Sequence, residues 1–463
     1  MYVCIEIFRY VLIITNKNMN KHLLKGVAII CLMMTAYSGF AQNNSGSESF
    51  SLEEALQLAA ENNREVLKAL ADVEAAKAGN QQANAAFLPA VELSSGYSTS
   101  NDPLYAFGFK LQQQGVTMAD FDPAVINSPG QTNHFNTQVM VEQPLINVDA
   151  WMGKSAAGKQ LKATEQKTAY TREYVSFMVK QTYYALQLAQ SRVDVMKKAQ
   201  VTTNAYLKMA EDNLEQGYMK EADVMAIKVR RYEQVALVQE AENQVKSVKE
   251  TLNFLMGQDI NRAIEVSDSI SQVAFTFNTA TSIFNRSDVV AMQYGLEAQE
   301  KMTRSDLMKF APRINAFGMY NMYDADFGGF DANSYMVGIK LQWRIFNGGR
   351  NIGKYKQSKA HYNKAQVAYQ DYLAKENMEL SKATRAIAVA ESQLATYNLA
   401  ADEAKESLRI RTNRYNQGME STSDLLAAET KAEESILKKL NAIYNYNVAV
   451  FKYQMLASET SQQ

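Results

Sequence analysis

The sequence predicts a mainly α-helical protein of long helical hairpins, with four β-strands per chain. Three observations carry this prediction. The six prolines leave residues 145–311 and 313–463 without one, and because proline breaks helices, very long helices are allowed in both stretches. Apolar residues recur there with heptad spacing. Short segments in which apolar and polar residues alternate precede the heptad pattern in each half of the chain, as expected for strands.

The clearest heptad pattern lies in the second half of the chain. Its two seam positions are filled by Leu373, Leu380, Ile387, Leu394, Ala401, Leu408 and Tyr415, and by Ala383, Ala390, Tyr397 and Ala404. Weaker seams occupy the other helical stretches, for example Ile436, Ile443 and Val450. Such seams predict left-handed coiled-coil packing. The residues between the seams are polar, so we expect these helices to meet water over much of their surface.

The chain contains two copies of one pattern. Phe87-x-Pro89 aligns with Phe310-x-Pro312, and Gly217 aligns with Gly418. Each copy reads helix, strand, loop, strand, long helix, glycine turn and return helix. We therefore predict a first repeat over 42–257 and a second over 287–457, with a linker over 258–286 and a tail over 458–463. The first copy carries a longer segment between its strands, residues 101–134, rich in turn signals.

The element boundaries follow from the same patterns. In the first repeat we expect strands near 91–100 and 135–146, a long helix over about 150–216 and a return helix over about 219–256. In the second repeat we expect strands near 313–323 and 334–346, a long helix over about 350–416 and a return helix over about 420–456. The first helix, about 52–86, and the first return helix together match one long helix in length.

The N-terminus has the pattern of an export signal. Residues 19–42 have a basic start, a short apolar core and small residues near Ala41. We expect a leader and signal peptide over 1–41, with Met19 favoured over Met1 as the start. A membrane anchor or a lipid-anchored Cys31 is the alternative. No later apolar run reaches the length of a transmembrane helix.

The strand predicted over 334–346 has one apolar and one polar face. We interpret the apolar face as membrane-facing; it carries Tyr335, Val337, Ile339, Leu341 and Trp343. An export signal with aromatic residues at strand ends favours an outer-membrane barrel. Four strands cannot close a barrel, and lipid does not tolerate open edges. Two chains would give a filled eight-stranded barrel and three a twelve-stranded barrel with a water-filled lumen. Lys340 and Arg344 on the polar face favour three.

Residues 50–457 resemble the TolC-type outer membrane efflux proteins, also called outer membrane factors. The resemblance rests on "FLP" and "FAP" before the first strand of each copy, "WRIFNGG" at 343–349, and "RYNQGMESTSDLLAAE" at 414–429 with a fainter copy at 213–228. It implies a homotrimer with one transmembrane β-barrel of twelve strands in the outer membrane. The helices would continue as a periplasmic α-barrel, docked onto a periplasmic adaptor (membrane fusion) protein and an inner-membrane transporter.

The resemblance also implies roles for the two glycine turns. They would be the periplasmic hairpin tips that dock the adaptor, through Gly217, Gly418, Gln216 and Gln417. The channel-entrance gate would use Asp424, Asp223 and Tyr415. Two positions depart from the family pattern, since Glu420 stands in place of an Arg and Ala427 in place of a second Asp. Alternatively, both Asp residues only complement helix dipoles, and Tyr415 only packs in its seam.

The function implied is passive export of small molecules, such as drugs or toxic compounds, through a tripartite pump. Type I protein secretion and metal efflux remain open. The 22 methionines would fit copper or silver efflux, but methionine also fills irregular seams. A periplasmic coiled-coil structural protein is the alternative of a different class. No nucleophile–base or metal-ligand pattern is present, so we expect no enzyme, no cofactor and no metal site. A net charge of −1 gives no case for nucleic acid.

Overall fold

The computed structural model describes residues 48–266, 269–277 and 283–457. The predicted leader and signal peptide, the tail over 458–463 and part of the predicted linker lie outside these residues. Within them, no helix carries an apolar stretch that could cross a bilayer.

Nine helices and six strands are described in this part of the chain. The helices are α1 Leu52–Asn62, α2 Arg64–Gln82, α3 Pro103–Gln112, α4 Pro123–Asn127, α5 Val148–Glu215, α6 Glu221–Leu255, α7 Ser287–Met308, α8 Arg350–Asn416 and α9 Thr422–Leu456. The strands are β1 Glu48–Ser49, β2 Ala90–Ser100, β3 Thr132–Ile146, β4 Ile264–Glu265, β5 Arg313–Asp324 and β6 Ala332–Gln342. The chain is thus mainly helical with a four-stranded sheet, as predicted.

The four longer strands form one antiparallel sheet in the order β2-β3-β5-β6. Strand pairing joins the two halves of the chain, because β3 pairs with β5. A short separate ribbon is formed by β1 and β4. Within the described residues, β2 and β6 each have a strand on one side only. The sheet therefore ends in two open edges.

The long helices α5 and α8 contain 68 and 67 residues. At a rise of about 1.5 Å per residue, each is about 100 Å long. Helices α1, α2, α6 and α7 pack along α5. Helices α7 and α9 pack along α8, and α9 also contacts α5. The seam residues of α8 are buried or half-buried, with Ile387 and Leu394 among the most enclosed. Heptad packing thus holds each long helix against shorter ones.

The end of α6 meets the break between α1 and α2. Asn63 ends α1 and caps α2 by accepting hydrogen bonds from the amides of Glu65 and Val66, and its side-chain amide donates to the Leu255 carbonyl at 2.7 Å. Gly257 follows α6 with a φ of +68°. A Cβ at Gly257 would lie 2.2 Å from the Asn62 carbonyl oxygen. A glycine is therefore required where the two helix ends meet.

Three details differ from the sequence prediction. The first helix, predicted over about 52–86, is interrupted at Asn63, which separates α1 from α2. The segment 101–134, predicted as a loop, contains α3 and α4. Each of these helices begins with an aspartate cap followed by proline, Asp102-Pro103 and Asp122-Pro123, and proline suits the first helical position. The strand predicted over 334–346 ends at Gln342. Gln342 pairs with Arg313, the first residue of β5. Pro312, which precedes Arg313, has no N–H with which to extend the hydrogen-bond ladder, so β6 ends there.

Candidate functional site at the hairpin tips and on the exposed sheet

The two glycine turns have the same backbone geometry. We call residues 213–223 tip 1 and residues 414–424 tip 2. In tip 1, Gly217 has a φ of +76°; its N–H donates to the Leu214 carbonyl, and the Tyr218 N–H donates to the Asn213 carbonyl, both at 2.9 Å. This pair of bonds is a Schellman motif, in which glycine takes up the left-handed conformation that ends a helix.

Tip 2 repeats the motif. Gly418 has a φ of +71°, its N–H donates to the Tyr415 carbonyl, and the Met419 N–H donates to the Arg414 carbonyl. Nothing lies within 4 Å of a Cβ built on Gly217 or Gly418. The left-handed backbone, rather than lack of space, therefore selects glycine at both tips. Gln216 and Gln417 are the helix-ending residues just before the glycines.

Asp424 lies in the first turn of α9. The helix is capped by Ser421, whose hydroxyl accepts a hydrogen bond from the Asp424 N–H at 3.1 Å and donates one to the Asp424 carboxylate at 2.6 Å. The carboxylate is exposed and lies 3.9 Å from Arg411. Asp223 holds the equivalent place in the first turn of α6. Both carboxylates therefore lie near the N-terminal ends of the return helices, where the helix dipole stabilises negative charge.

Glu420 has two arginine partners. Its carboxylate lies 2.6 Å from Arg411 and 2.9 Å from Arg414, both near the end of α8. The Glu420 side chain is largely enclosed, while Asp424 is open to solvent. The position that departs from the family pattern thus carries a charge clamp across tip 2, from the end of one helix to the loop before the next.

Tyr415 lies in an apolar cluster shared by both hairpins. The cluster contains Tyr206, Leu207, Ala210, Val224, Ile227, Tyr415 and Leu425, which come from α5, α6, α8 and α9. The rings of Tyr415 and Tyr206 are 6.4 Å apart between centroids, and the Tyr206 hydroxyl is 3.1 Å from the Thr412 hydroxyl. Tyr415 therefore packs in its seam and also joins the two hairpins just above their tips.

The structure brings only part of the predicted gate together. Within the described residues, no hydrogen bond or ion pair joins Asp223 to Asp424 or to Tyr415. Tyr415 reaches across tip 2 to Thr422, with 3.4 Å between the two hydroxyls. Asp223 lies at the start of α6, whereas Asp424 contacts both Ser421 at the start of α9 and Arg411 of α8.

A buried polar network that the sequence reasoning missed lies farther along the hairpins. Glu429 of α9 is 2 % exposed, and one of its carboxylate oxygens accepts a hydrogen bond from Thr203 of α5 at 3.0 Å. Glu433 pairs with Arg230 of α6 at 2.7 Å and accepts hydrogen bonds from Gln234. Burial raises the pKa of Glu429 to about 7; Thr203 opposes this shift, and the nearby charge of Glu433 adds to it.

A signal for this network was present in the sequence. The seam Ile436, Ile443, Val450, extended back by seven residues, falls on Glu429. A polar residue at a seam position lowers stability and fixes register. Buried atoms of this network lack hydrogen-bond partners, namely Glu429 Oε2, Arg230 Nε and Gln234 Oε1. Within the described residues, no group of three or more His, Cys, Asp or Glu side chains is placed to hold a metal ion.

The sheet exposes an apolar face. Tyr335, Val337, Ile339 and Leu341 on β6 are between 62 % and 78 % exposed. The register places Val91 and Leu93 of β2 in the same rows as Val337 and Tyr335, on the same face. Trp343 lies one residue beyond β6, where its indole N–H donates to the Phe310 carbonyl at 3.0 Å. The opposite face is polar, with Ser94, Gln138, Asn321 and Ser334 in one row.

Known proteins share this architecture. The chain is 19 % identical over 431 residues to outer membrane protein TolC of Vibrio cholerae, covering 89 % of this chain and 91 % of the relative. A membrane protein from Pseudomonas aeruginosa superposes with a TM-score of 0.77 at 18 % identity, covering 91 % of this chain and 98 % of the other. The outer membrane protein VceC of Vibrio cholerae gives a TM-score of 0.75 at 17 % identity, covering 88 % and 96 %.

A sequence model of the family described as outer membrane efflux protein matches residues 55–258 and 280–452. The two matched segments take in both tips, the four-stranded sheet and both long helices, which is most of the chain. The chain therefore belongs to the outer membrane efflux protein family.

Proposed function

We propose that this protein is the outer membrane channel of a tripartite efflux system in a Gram-negative bacterium. Three copies would form one β-barrel of twelve strands in the outer membrane, and their helices would extend into the periplasm as an α-barrel. Small molecules would pass through it without catalysis, delivered by a periplasmic adaptor and an inner-membrane transporter. The observation that carries this proposal is the sheet with two open edges and an exposed apolar face.

The two open edges and the exposed apolar face of the sheet favour a barrel that is closed by further copies of the chain. An uncovered edge strand presents unpaired N–H and C=O groups, and in lipid each unpaired group costs several kcal/mol. If β6 of one copy pairs with β2 of the next, both edges disappear. The apolar face, with Val337 and Ile339, would then contact lipid, and the polar face would line the lumen. Three copies give a barrel wide enough for water.

The tips supply the proposed periplasmic end. Gly217 and Gly418 with Gln216 and Gln417 would form the adaptor-docking surface, since both turns lie far from the sheet along helices of about 100 Å. Asp424, Asp223 and Tyr415 would line or hold the channel entrance. Support for this role comes from the exposed Asp424 carboxylate and from the packing of Tyr415 between the hairpins.

Reconstitution tests the barrel directly. We expect the purified protein to be a trimer in detergent and to conduct ions in planar bilayers. Ile339→Arg would place a charge against lipid and should reduce insertion, since such charges cost about 2–4 kcal/mol at mid-membrane. Gln342→Arg adds the same charge to the polar face and should insert normally. A detergent-free soluble monomer would refute the channel and favour a structural coiled-coil protein.

The gate role of Asp424 has its own test. If three Asp424 carboxylates ring the entrance, divalent cations should block conductance, and Asp424→Ala should weaken that block. Asp402→Ala, on α8 away from the tips, is a matched loss of one charge and should leave the block intact. If divalent cations block the Asp424 variant as they block the wild type, Asp424 has no gate role and only complements the helix dipole.

A further inference from the structure

One cross-strand row of the sheet contains three methionines. The register pairs Glu92 of β2 with Met140 of β3, Met140 with Met319 of β5, and Met319 with Met336 of β6. All four residues occupy the same row and so project to the same face. This is the polar face, which also carries Gln138 and Asn321 two residues away. Residues distant in sequence thus form a continuous row of thioethers.

These thioethers do not fill a core. Met336 is 55 % exposed, and Met140 and Met319 are half-buried. The Gln138 amide donates to the Met319 sulfur at 3.4 Å and to the Asn321 side-chain oxygen at 2.9 Å. Methionine usually packs into irregular apolar gaps. Here the sulfur of Met319 instead accepts a hydrogen bond from a polar neighbour on the polar face of the sheet.

We propose that Met140, Met319 and Met336 form a binding site for a soft monovalent cation, Cu(I) or Ag(I). Thioethers select such ions over hard divalent cations. Neighbouring strands lie about 4.8 Å apart, so the three Cα atoms span about 10 Å. Three flexible side chains can therefore bring their sulfurs together above the middle strand. Glu92, at the end of the row, adds a negative charge that favours cations.

The place of this site in the molecule rests on the proposed function. In a closed barrel the polar face lines the lumen, so threefold symmetry would place three copies of the row at the same height in the pore. A soft cation leaving the cell would then meet neutral sulfur ligands on its way out. Neutral thioethers hold it without the binding strength of thiolates, as a conduit requires. The inference therefore names soft metal ions as a substrate class.

The test uses the full protein in detergent, with Ag(I) as the first probe. Bound silver per chain is measured by mass spectrometry after desalting, and Cu(I) under reducing conditions is a second arm. We expect Met140→Leu/Met319→Leu/Met336→Leu to lose one bound ion per chain. Leucine conserves volume, so folding should be retained. Met118→Leu/Met302→Leu/Met419→Leu removes three exposed methionines elsewhere and should bind silver as the wild type does.

A single substitution guards against a misfolded triple variant. Met336 lies on an exposed edge strand, so Met336→Leu should fold normally and weaken silver binding about tenfold, or about 1.4 kcal/mol. Equal silver binding by the wild type and both row variants would overturn the site, as would tighter retention of Zn(II) than of either soft ion. Conductance measured on the same samples separates the two proposals. Pores that bind no soft cation refute only the site, whereas soft-cation binding without pores refutes only the channel.

Discussion

Glu429 is a buried carboxyl group at a seam position of α9 where the heptad pattern calls for an apolar residue. Its neighbours are Thr203 and Tyr206 on α5, Arg230 on α6 and Glu433 on its own helix. One carboxylate oxygen is hydrogen-bonded and the other has no partner. An ionised carboxylate is costly to bury in this way, so the folded protein favours the neutral form. The contact between the two hairpins thereby becomes sensitive to pH.

Glu429→Gln should change how stability depends on pH. The pKa of Glu429 rises from an ordinary 4.5 to about 7, so the folded state binds more protons than the unfolded state between these values. Stability should therefore fall as pH rises through this window, by at most about 3 kcal/mol. Thermal unfolding between pH 4 and 8 should show this fall in the wild type and not in Glu429→Gln. Glu434→Gln, at an exposed neighbouring position, should keep the wild-type profile; parallel profiles for wild type and Glu429→Gln would contradict the assignment.

The clamp on Glu420 gives a second prediction for a single residue. Glu420→Arg would place three guanidinium groups together and should open tip 2. The amides of Met419 and Ser421 should then exchange hydrogen faster. Adding Arg411→Glu restores a pair of opposite charges and should recover most of the protection. Exchange that stays slow in Glu420→Arg would show that the Schellman turn alone holds tip 2.

At the scale of elements, the helices and strands were largely predictable. The spacing of apolar residues and the positions of proline and glycine determine helix ends locally, so they can be read from the sequence. The long helix expected over about 350–416 accordingly spans Arg350–Asn416. Two of the misses have tertiary causes, and one had a local signal in the sequence. The end of β6 depends on its partner β5, which begins after Pro312. Helices α3 and α4 lie in a segment that was predicted as a loop, although each begins with a local Asp-Pro cap. The Glu429 network depends on which helices face each other, and a single heptad does not show this.

The junction of α6 with α1 and α2 can be tested at one glycine. Gly257→Ala places a methyl group against the Asn62 carbonyl and a side chain in the left-handed region. It should destabilise the protein by about 2 kcal/mol or more. Gly79→Ala, within α2 and with nothing within 4 Å of its Cβ, should stabilise by about 0.5–1 kcal/mol. Thermal midpoints give both values; a neutral Gly257→Ala would mean that the junction adapts easily.

At the scale of the whole molecule, the two halves of the chain contain the same elements in the same order. Each contributes two strands to one sheet, one long helix, one Schellman turn and one return helix. The membership of the chain in the efflux family was predictable from the order of short motifs, although none of them is specific alone. The duplication explains why the tips match in backbone geometry while their side chains differ, since Glu420 has its clamp only in tip 2.

The proposed position of the sheet in the membrane predicts a fluorescence result. The chain has two tryptophans, and Trp343 is 57 % exposed beside the apolar face. In a Trp151→Phe background, brominated lipids should quench Trp343 strongly, as expected for an aromatic girdle. In a Trp343→Phe background, Trp151, which is stacked near Phe87, should be quenched less. Trp343 emission that is insensitive to lipid bromine would place this end of the sheet outside the bilayer.

The unbroken length of α5 and α8 has a mechanical consequence. A rod of about 100 Å acts as a lever, so a rotation of about 1° at its sheet end displaces its tip by roughly 1.7 Å. Adjustments at the sheet too small to disturb its hydrogen-bond ladder are thus amplified at the tips into movements comparable to the difference between a contact and a gap.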